Sequence, residues 1–258
     1  MQKLILASAS PRRQQILAYL GIAFSVKPSP IDEQALQLSG PPGQQASDSA
    51  KAKALAAAEA DRDSWILAAD TVVAVDGTIL GKPSGREDAR RMLTLLSDRS
   101  HSVMTGVCLH RFGEGAPTAI YEETKVWMAS LTDPVIEAYL DTDEPWDKAG
   151  AYAIQAYGGS LIPRIEGCFF NVMGLPLYRT ARLLEAAGFM PLSSAGGLEA
   201  ASFKPLSSAG GVEAVGFMPL TSAGGLEAAG FTPLTSAGGL EAAGFTPSSS
   251  TGGVGSNA

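Results

Sequence analysis

Histidine and cysteine are scarce: two of each, His101, His110, Cys108 and Cys168, occur among 258 residues. So few, so scattered, exclude a zinc centre built from these ligands, and any metal used here should be a hard ion held by oxygen. Both cysteines lie in apolar, strand-like contexts where a buried free thiol is the ordinary state, so a reducing cytoplasm is the expected compartment. Long apolar runs are also missing. No stretch reaches membrane-spanning length, and no charged N-terminus followed by an apolar core marks an export signal. Positive charge is in deficit, with 19 Lys and Arg against 26 Asp and Glu and a formal net charge of -7. Broad binding to nucleic acid or an anionic membrane is therefore not expected, and any cationic surface must be local and suited to a small anion.

What is present suffices for a globular domain: 45% of residues are hydrophobic and 17% charged. From Leu184 onward a fourteen-residue theme repeats five times, Leu184–Gly197, Leu198–Gly211, Val212–Gly225, Leu226–Gly239 and Leu240–Gly253. Each copy holds a proline and a glycine pair around a four-residue helix-favouring fragment, too short to nucleate a helix unaided. The expectation is a domain over residues 1–189 and a low-complexity, disordered tail over 190–258.

Within the domain, strand patterns cover Lys3–Ala7, Trp65–Val75, Ser102–Arg111, Thr118–Met128 and Leu161–Ile165. Helical periodicity covers Pro11–Leu20, Ser47–Ala60, Gly85–Leu96, Pro134–Leu140 and Leu175–Ala187. Asp76-Gly77 is a two-residue hairpin signal, and Ser84 with Glu87 forms a capping box. Strands alternating with helices, interrupted by hairpins, predict an α/β domain around a mixed sheet.

Ser8-Ala9-Ser10-Pro11-Arg12-Arg13 follows the apolar Leu4-Ile5-Leu6 and opens the first helix. Ser10 suits the N-cap and Pro11 the first helical position, so unpaired amides and the positive helix end would meet two hydroxyls and two guanidinium groups. That is a cradle for a polyphosphate; an ordinary helix start with solvated arginines is the competing reading. Asp70 stands alone in the apolar run Ala68–Val73 and needs a partner. It is either a turn acceptor at a strand end or a metal ligand and general base. Glu33 follows Ile31-Asp32 in a short polar segment and reads as a solvated carboxylate or as the second of a pair holding Mg²⁺.

Lys82, in Gly81-Lys82-Pro83, sits between a hairpin and a helix entrance. Lys51 and Lys53 lie in the alanine-rich helix. No Walker loop and no Gly-x-Ser-x-Gly elbow occurs, which excludes the commonest nucleotide and serine-hydrolase motifs. In Asp147–Gln155, Gln155 offers the donor and acceptor that a uracil or thymine edge would match, while Tyr152 either stacks on a base or packs.

Taken together, Ser8–Arg13, Glu33, Lys51–Ala54, Ala69–Val72, Gly81–Pro83, Ser100–Thr105, Asp147–Gln155 and Val172–Pro176 resemble the Maf family in order and spacing over Met1–Phe189. The resemblance implies an α/β domain, elongated, with a mixed sheet and a deep nucleotide cleft. It implies hydrolysis of a nucleoside triphosphate to the monophosphate and pyrophosphate, with Mg²⁺ or Mn²⁺ as cofactor and a homodimer as a compatible assembly. Asp70-Thr71-Val72 and Gly150–Gln155 are similar to the subgroup acting on dTTP and UTP, although Ala153 and Ala156-Tyr157 depart from that subgroup's glycine-containing segment. The implied roles are catalysis by Asp70, Glu33 and Lys82, with metal held by Glu33 and Asp70. Ser8, Ser10, Arg12, Arg13, Lys51, Lys82 and Gln155 would bind substrate, and Arg12, Thr71 and Gln155 would set specificity. Alignment on Lys-Ala-Lys-Ala selects Lys51 over Lys53. Three alternatives stand beside this: a 7-methyl-GTP pyrophosphatase, a non-catalytic nucleotide sensor linked to septum formation, and an interaction protein acting through its tail.

Overall fold

The computed structural model describes residues 2–191. The repeats therefore lie outside the described residues from position 192 onward, and with them the expected tail.

Strand β1 (Leu4–Leu6) leads through the serine loop into helix α1 (Pro11–Ala18), followed by the short strand β2 (Ser25–Val26). Helix α2 (Pro42–Ala60) starts five residues earlier than its periodicity suggested, because Pro42 occupies its first turn, where the missing N–H costs nothing. Strands β3 (Trp65–Val75) and β4 (Thr78–Leu80) are joined at Asp76-Gly77. Both turn residues have positive φ, 50° and 76°, as the hairpin signal required.

Helix α3 (Arg86–Leu96) follows, but the expected capping box is displaced by one residue. Gly85 is the N-cap, and the Asp88 carboxylate, rather than Glu87, accepts the Ser84 N–H at 3.0 Å and its hydroxyl at 3.2 Å. Strands β5 (Ser100–Arg111) and β6 (Thr118–Trp127) and helix α4 (Asp133–Leu140) match expectation closely. After them the chain is less regular than it reads. Residues Pro145–Asp147, Ala149–Ala151 and Ala156–Leu161 form 3-10 turns. Strand β7 is confined to Arg164–Glu166 because Leu161 closes the last of these turns. The helix expected over Leu175–Ala187 is α6 (Leu177–Ala186), and a short helix that was not expected, α5 (Phe169–Met173), precedes it. Gly174, at φ 112°, ends α5, and Pro176 caps α6.

The sheet is mixed, in the order β2-β1-β3-β5-β6-β7, with β1 parallel to β2 and β3 and the remaining pairs antiparallel. Since β5 occupies one edge of β3 from Trp65 to Ala74, β1 and β4 must share the other. β1 pairs with residues 65–67 and β4 with residues 73–75. Between them a gap opens along the β3 edge at Asp70–Val72. The chain leaves β1 toward this gap through Ser8–Ser10, and leaves β4 toward it through Gly81–Lys82.

Side-chain alternation divides the core by face. Ile66, Ala68 and Cys108 pack against Ala50, Ala54, Ala57 and Ala58 of α2. Small residues bring that helix close to the sheet: a Cβ on Gly106 would lie 2.2 Å from the Ala46 carbonyl oxygen. On the opposite face are two apolar clusters, one of β1, α1 and α6 residues such as Leu6, Ile16 and Leu184, the other of α3 and α4 residues such as Leu93 and Leu140. Among the described residues no helix is long and apolar enough to cross a membrane.

Candidate active site

The gap at Asp70 gathers the charged residues. Asp70 is on the α2 face of β3, and Lys53 of α2 reaches it with Nζ 2.7 Å from Oδ1. The same ammonium lies 2.9 Å from Oε1 of Glu33, carried on a 3-10 turn (Glu33–Ala35). Lys53 is buried, with 4% of its side chain exposed, whereas Glu33 is 59% exposed. Two carboxylates distant in sequence are thus joined through one lysine, and a buried cation with two anionic partners is the satisfied arrangement.

That lysine is Lys53; Lys51, the one expected at the site, makes no ion pair with either carboxylate among the described residues. Lys51 is exposed and borders a separate depression with Gln44, Ser47, Asp48 and Arg179. Two residues along a helix differ by about 200° in direction, so only one of the pair can face the sheet. The buried stripe Ala46, Ala50, Ala54 and Ala57 carries Lys53 with it. Alanines at positions 52, 56, 58 and 60 blur this stripe in the sequence.

Arg13 approaches the gap from the opposite face. Its Nε donates to the Gly174 carbonyl at 2.8 Å, Nη1 to the Ser8 hydroxyl at 3.3 Å, and Nη2 to Thr71 Oγ1 at 3.0 Å. Burial lowers its pKa from the usual arginine range, opposed by the nearby charges of Asp70 and Glu33 and reinforced by Arg12. Ser8 is buried, and its oxygen also accepts the Ser10 N–H at 3.3 Å. Ser10 stands at the N-cap of α1 as expected, but its hydroxyl makes no capping bond. Arg12, half-buried, lies within electrostatic reach of Tyr139 and Asp147, which places it toward the Asp147–Gln155 segment.

Lys82 is exposed, and its loop is tied to that segment by a 3.0 Å bond from the Gly150 N–H to the Gly81 carbonyl. Gln155 is half-buried at the start of a 3-10 turn. Glu144 braces this loop: its carboxylate accepts the N–H groups of Tyr157 at 2.8 Å and Gly158 at 3.0 Å, and the Tyr139 hydroxyl at 3.1 Å. Tyr139 Oη in turn accepts the Ala153 N–H at 3.1 Å. Positive φ at Ala151 (58°) and Ala156 (54°) gives these anchors something to hold. Tyr152 packs rather than stacks, being buried with its hydroxyl 2.6 Å from His101 Nε2.

Among the described residues no three His, Cys, Asp or Glu side chains cluster as a metal cage. Glu33 and Asp70 nonetheless suit a hard divalent ion of the magnesium type, which takes one or two carboxylates and completes its shell with substrate phosphate and water.

A family model described as Maf-like protein matches residues 3–187. This chain belongs to the Maf family. The Maf domain is 42% identical over 193 residues to a dTTP/UTP pyrophosphatase of Caldicellulosiruptor saccharolyticus, covering 73% of this chain and 96% of the relative. It is 48% identical over 189 residues to a dTTP/UTP pyrophosphatase of Halalkalibacterium halodurans, covering 73% and 98%. A third, from Moorella thermoacetica, is 46% identical over 188 residues, covering 73% and 96%. Among solved structures, a nucleoside-triphosphatase / dITP/XTP pyrophosphatase of Mycobacterium abscessus aligns at TM-score 0.40 and 16% identity over 72% of this chain and 98% of its own.

Four residues that hold the surroundings of this gap were given no role by the reading of the sequence. Glu144 and Tyr139 lie in a polar stretch and a helix with no motif to mark them. Thr105 and Asn171 are single polar residues in apolar segments, a pattern that signals a buried hydrogen-bonding role but not its partner.

Proposed function

We propose that this Maf protein hydrolyses dTTP and UTP to the nucleoside monophosphate and pyrophosphate, a nucleotide-pool housecleaning reaction in a reducing cytoplasm. The observation that carries this reading is the convergence of Arg13, Glu33, Lys53 and Asp70 on one gap in the β3 edge, in a chain similar over nearly their whole length to dTTP/UTP pyrophosphatases.

Water attacks the α-phosphorus, a new P–O bond forms, and the bond from that phosphorus to the bridging oxygen breaks, with pyrophosphate leaving. Asp70 takes the proton. Its Oδ1 is held by Lys53, so Oδ2 is the oxygen assigned to the water. Arg12, Arg13 and the open end of α1 bind the polyphosphate, and Lys53 with Lys82 offsets charge developing on its oxygens. Glu33 and Asp70 would hold Mg²⁺ or Mn²⁺, which supplies Lewis-acid polarisation when bound. Gln155, on the loop braced by Glu144, reads the pyrimidine edge.

The test is pyrophosphate release from dTTP, UTP, CTP, dATP, GTP and 7-methyl-GTP by wild type and Asp70→Asn with either ion. Preference for dTTP and UTP, reduced by about 10²-fold or more in a variant that still binds nucleotide, is expected. Wild-type turnover by Asp70→Asn would remove the base from this scheme, and preference for 7-methyl-GTP would overturn the substrate.

A further inference from the structure

Two threonines sit where strand alternation would place apolar side chains. On the sheet face opposite α2, Leu67, Ala69 and Val107 belong to one apolar cluster and Val73, Val75 and Val103 to the other. Thr71 and Thr105 fall on the line between the clusters and are registered directly opposite each other on β3 and β5. Thr105 is wholly buried, as is Asn171 of α5. The polar groups on this line make a continuous chain with only one sense of donation.

That sense follows from the carbonyl at its end. Thr105 Oγ1 is 2.9 Å from the Asn171 main-chain oxygen, which can only accept, so the Thr105 hydroxyl donates there. Thr71 Oγ1, 3.0 Å from Thr105 Oγ1, must then donate its own proton to Thr105. The Thr71 oxygen is left to accept, and it accepts from Arg13 Nη2. The Asn171 amide holds this arrangement: Oδ1 takes the Thr105 N–H at 3.1 Å, and Nδ2 donates to the Val103 carbonyl and Thr124 Oγ1, each at 2.9 Å.

With Gly174 and Ser8, three of the five guanidinium N–H groups of Arg13 are committed to the protein, leaving two. Asp70 and Glu33 attract the same charge. A guanidinium released from Thr71 would keep only its Gly174 and Ser8 anchors, and its Nη2 end would no longer be fixed in place.

We propose that Thr105 and Asn171 are positioning residues that act through Thr71 to aim Arg13 at the polyphosphate of the substrate. The inference rests on the reading of the gap as a nucleoside triphosphate site. The chain supplies preorganisation: the donors are fixed before the anion arrives, so ordering them costs nothing on binding.

The experiment compares wild type, Thr105→Val, Thr105→Ser and Arg13→Gln, with inhibition by pyrophosphate and by thymidine as probes of the two ends of the site. Thr105→Val should raise KM for dTTP and weaken pyrophosphate inhibition about tenfold, the scale of one charge-assisted hydrogen bond. Thymidine inhibition should stay within about twofold, since the base end is untouched. Thr105→Ser, which keeps the hydroxyl, should restore both values, and adding Thr105→Val to Arg13→Gln should produce no further loss. Equal weakening of thymidine and pyrophosphate, or an additive loss in the double variant, would overturn the proposal by showing a general lesion. Should Thr105→Val fail to fold, Thr71→Val cuts the same chain at a less buried position and is read by pyrophosphate inhibition alone, because the family resemblance also gives Thr71 a part in specificity; unchanged pyrophosphate inhibition in that variant would overturn the proposal. Calorimetric pyrophosphate binding reads the positioning role even if wild type turns over no triphosphate, an outcome that would instead remove the proposed hydrolysis.

Discussion

Lys53 is the only link between Asp70 and Glu33 that the site contains among its described ion pairs, at 2.7 Å from one carboxylate and 2.9 Å from the other. The two acids belong to different parts of the chain, a long central strand and a short 3-10 turn, and the ammonium holds them as one anionic unit.

Replacement of that lysine should therefore separate it from its neighbour two residues away. Lys53→Gln leaves Asp70 beside an uncharged amide and removes a cation from the phosphate site, and kcat for pyrophosphate release should fall by about 10²-fold or more. Lys51→Gln alters an exposed charge and should change kcat by less than about threefold. Steady-state kinetics of the two variants side by side checks the assignment; the reverse ranking would restore Lys51.

The loop brace predicts a change of selectivity without loss of phosphate binding. Glu144→Gln replaces one acceptor oxygen by an NH₂ group that faces backbone N–H donors, so the Tyr157 and Gly158 anchors cannot both persist. Stability should drop by about 1–3 kcal/mol in denaturant titrations. The ratio of kcat/KM for dTTP over dATP should fall about tenfold as Gln155 loses its fixed place, with pyrophosphate inhibition unchanged. A retained ratio would detach Glu144 from base reading.

Acid should destabilise the fold through His101. Burial lowers its pKa to about 4, so the folded protein holds it neutral where the unfolded chain, with an ordinary value near 6.5, already binds a proton. Its stabilising contribution is complete above pH 6.5 and is lost as pH falls through 4, on the order of 3 kcal/mol in all. Urea unfolding at successive pH values should show this decline, and His101→Phe should flatten it. An unchanged slope in the variant would assign the acid sensitivity elsewhere.

Much of the architecture was legible in local pattern. Strand and helix periods located β3, β5, β6, α3 and α4 to within a few residues, and Asp76-Gly77 specified its hairpin because that turn demands two positive φ values. The carboxylate in an apolar strand announced that Asp70 had to find a partner. Regularity failed where long-range anchors hold the chain: Tyr139 takes the Ala153 N–H and Glu144 those of Tyr157 and Gly158, beside a 3-10 turn over Ala156–Leu161 that local pattern did not foretell.

By itself the sequence determined the mixed α/β class, the phosphate-suited segment Ser8–Arg13, the isolated Asp70 and the fourteen-residue repetition, since each follows from residues close together in the chain. Tertiary structure alone decided that Lys53 and not Lys51 meets Asp70, that β1 and β4 part at Asp70–Val72, and that Arg13 is aimed by Thr71, Thr105 and Asn171. Local pattern states which residues need burial or a partner. Helix rotation, strand order and cross-sheet register determine which partner is within 3 Å, and these arise only when the whole core packs.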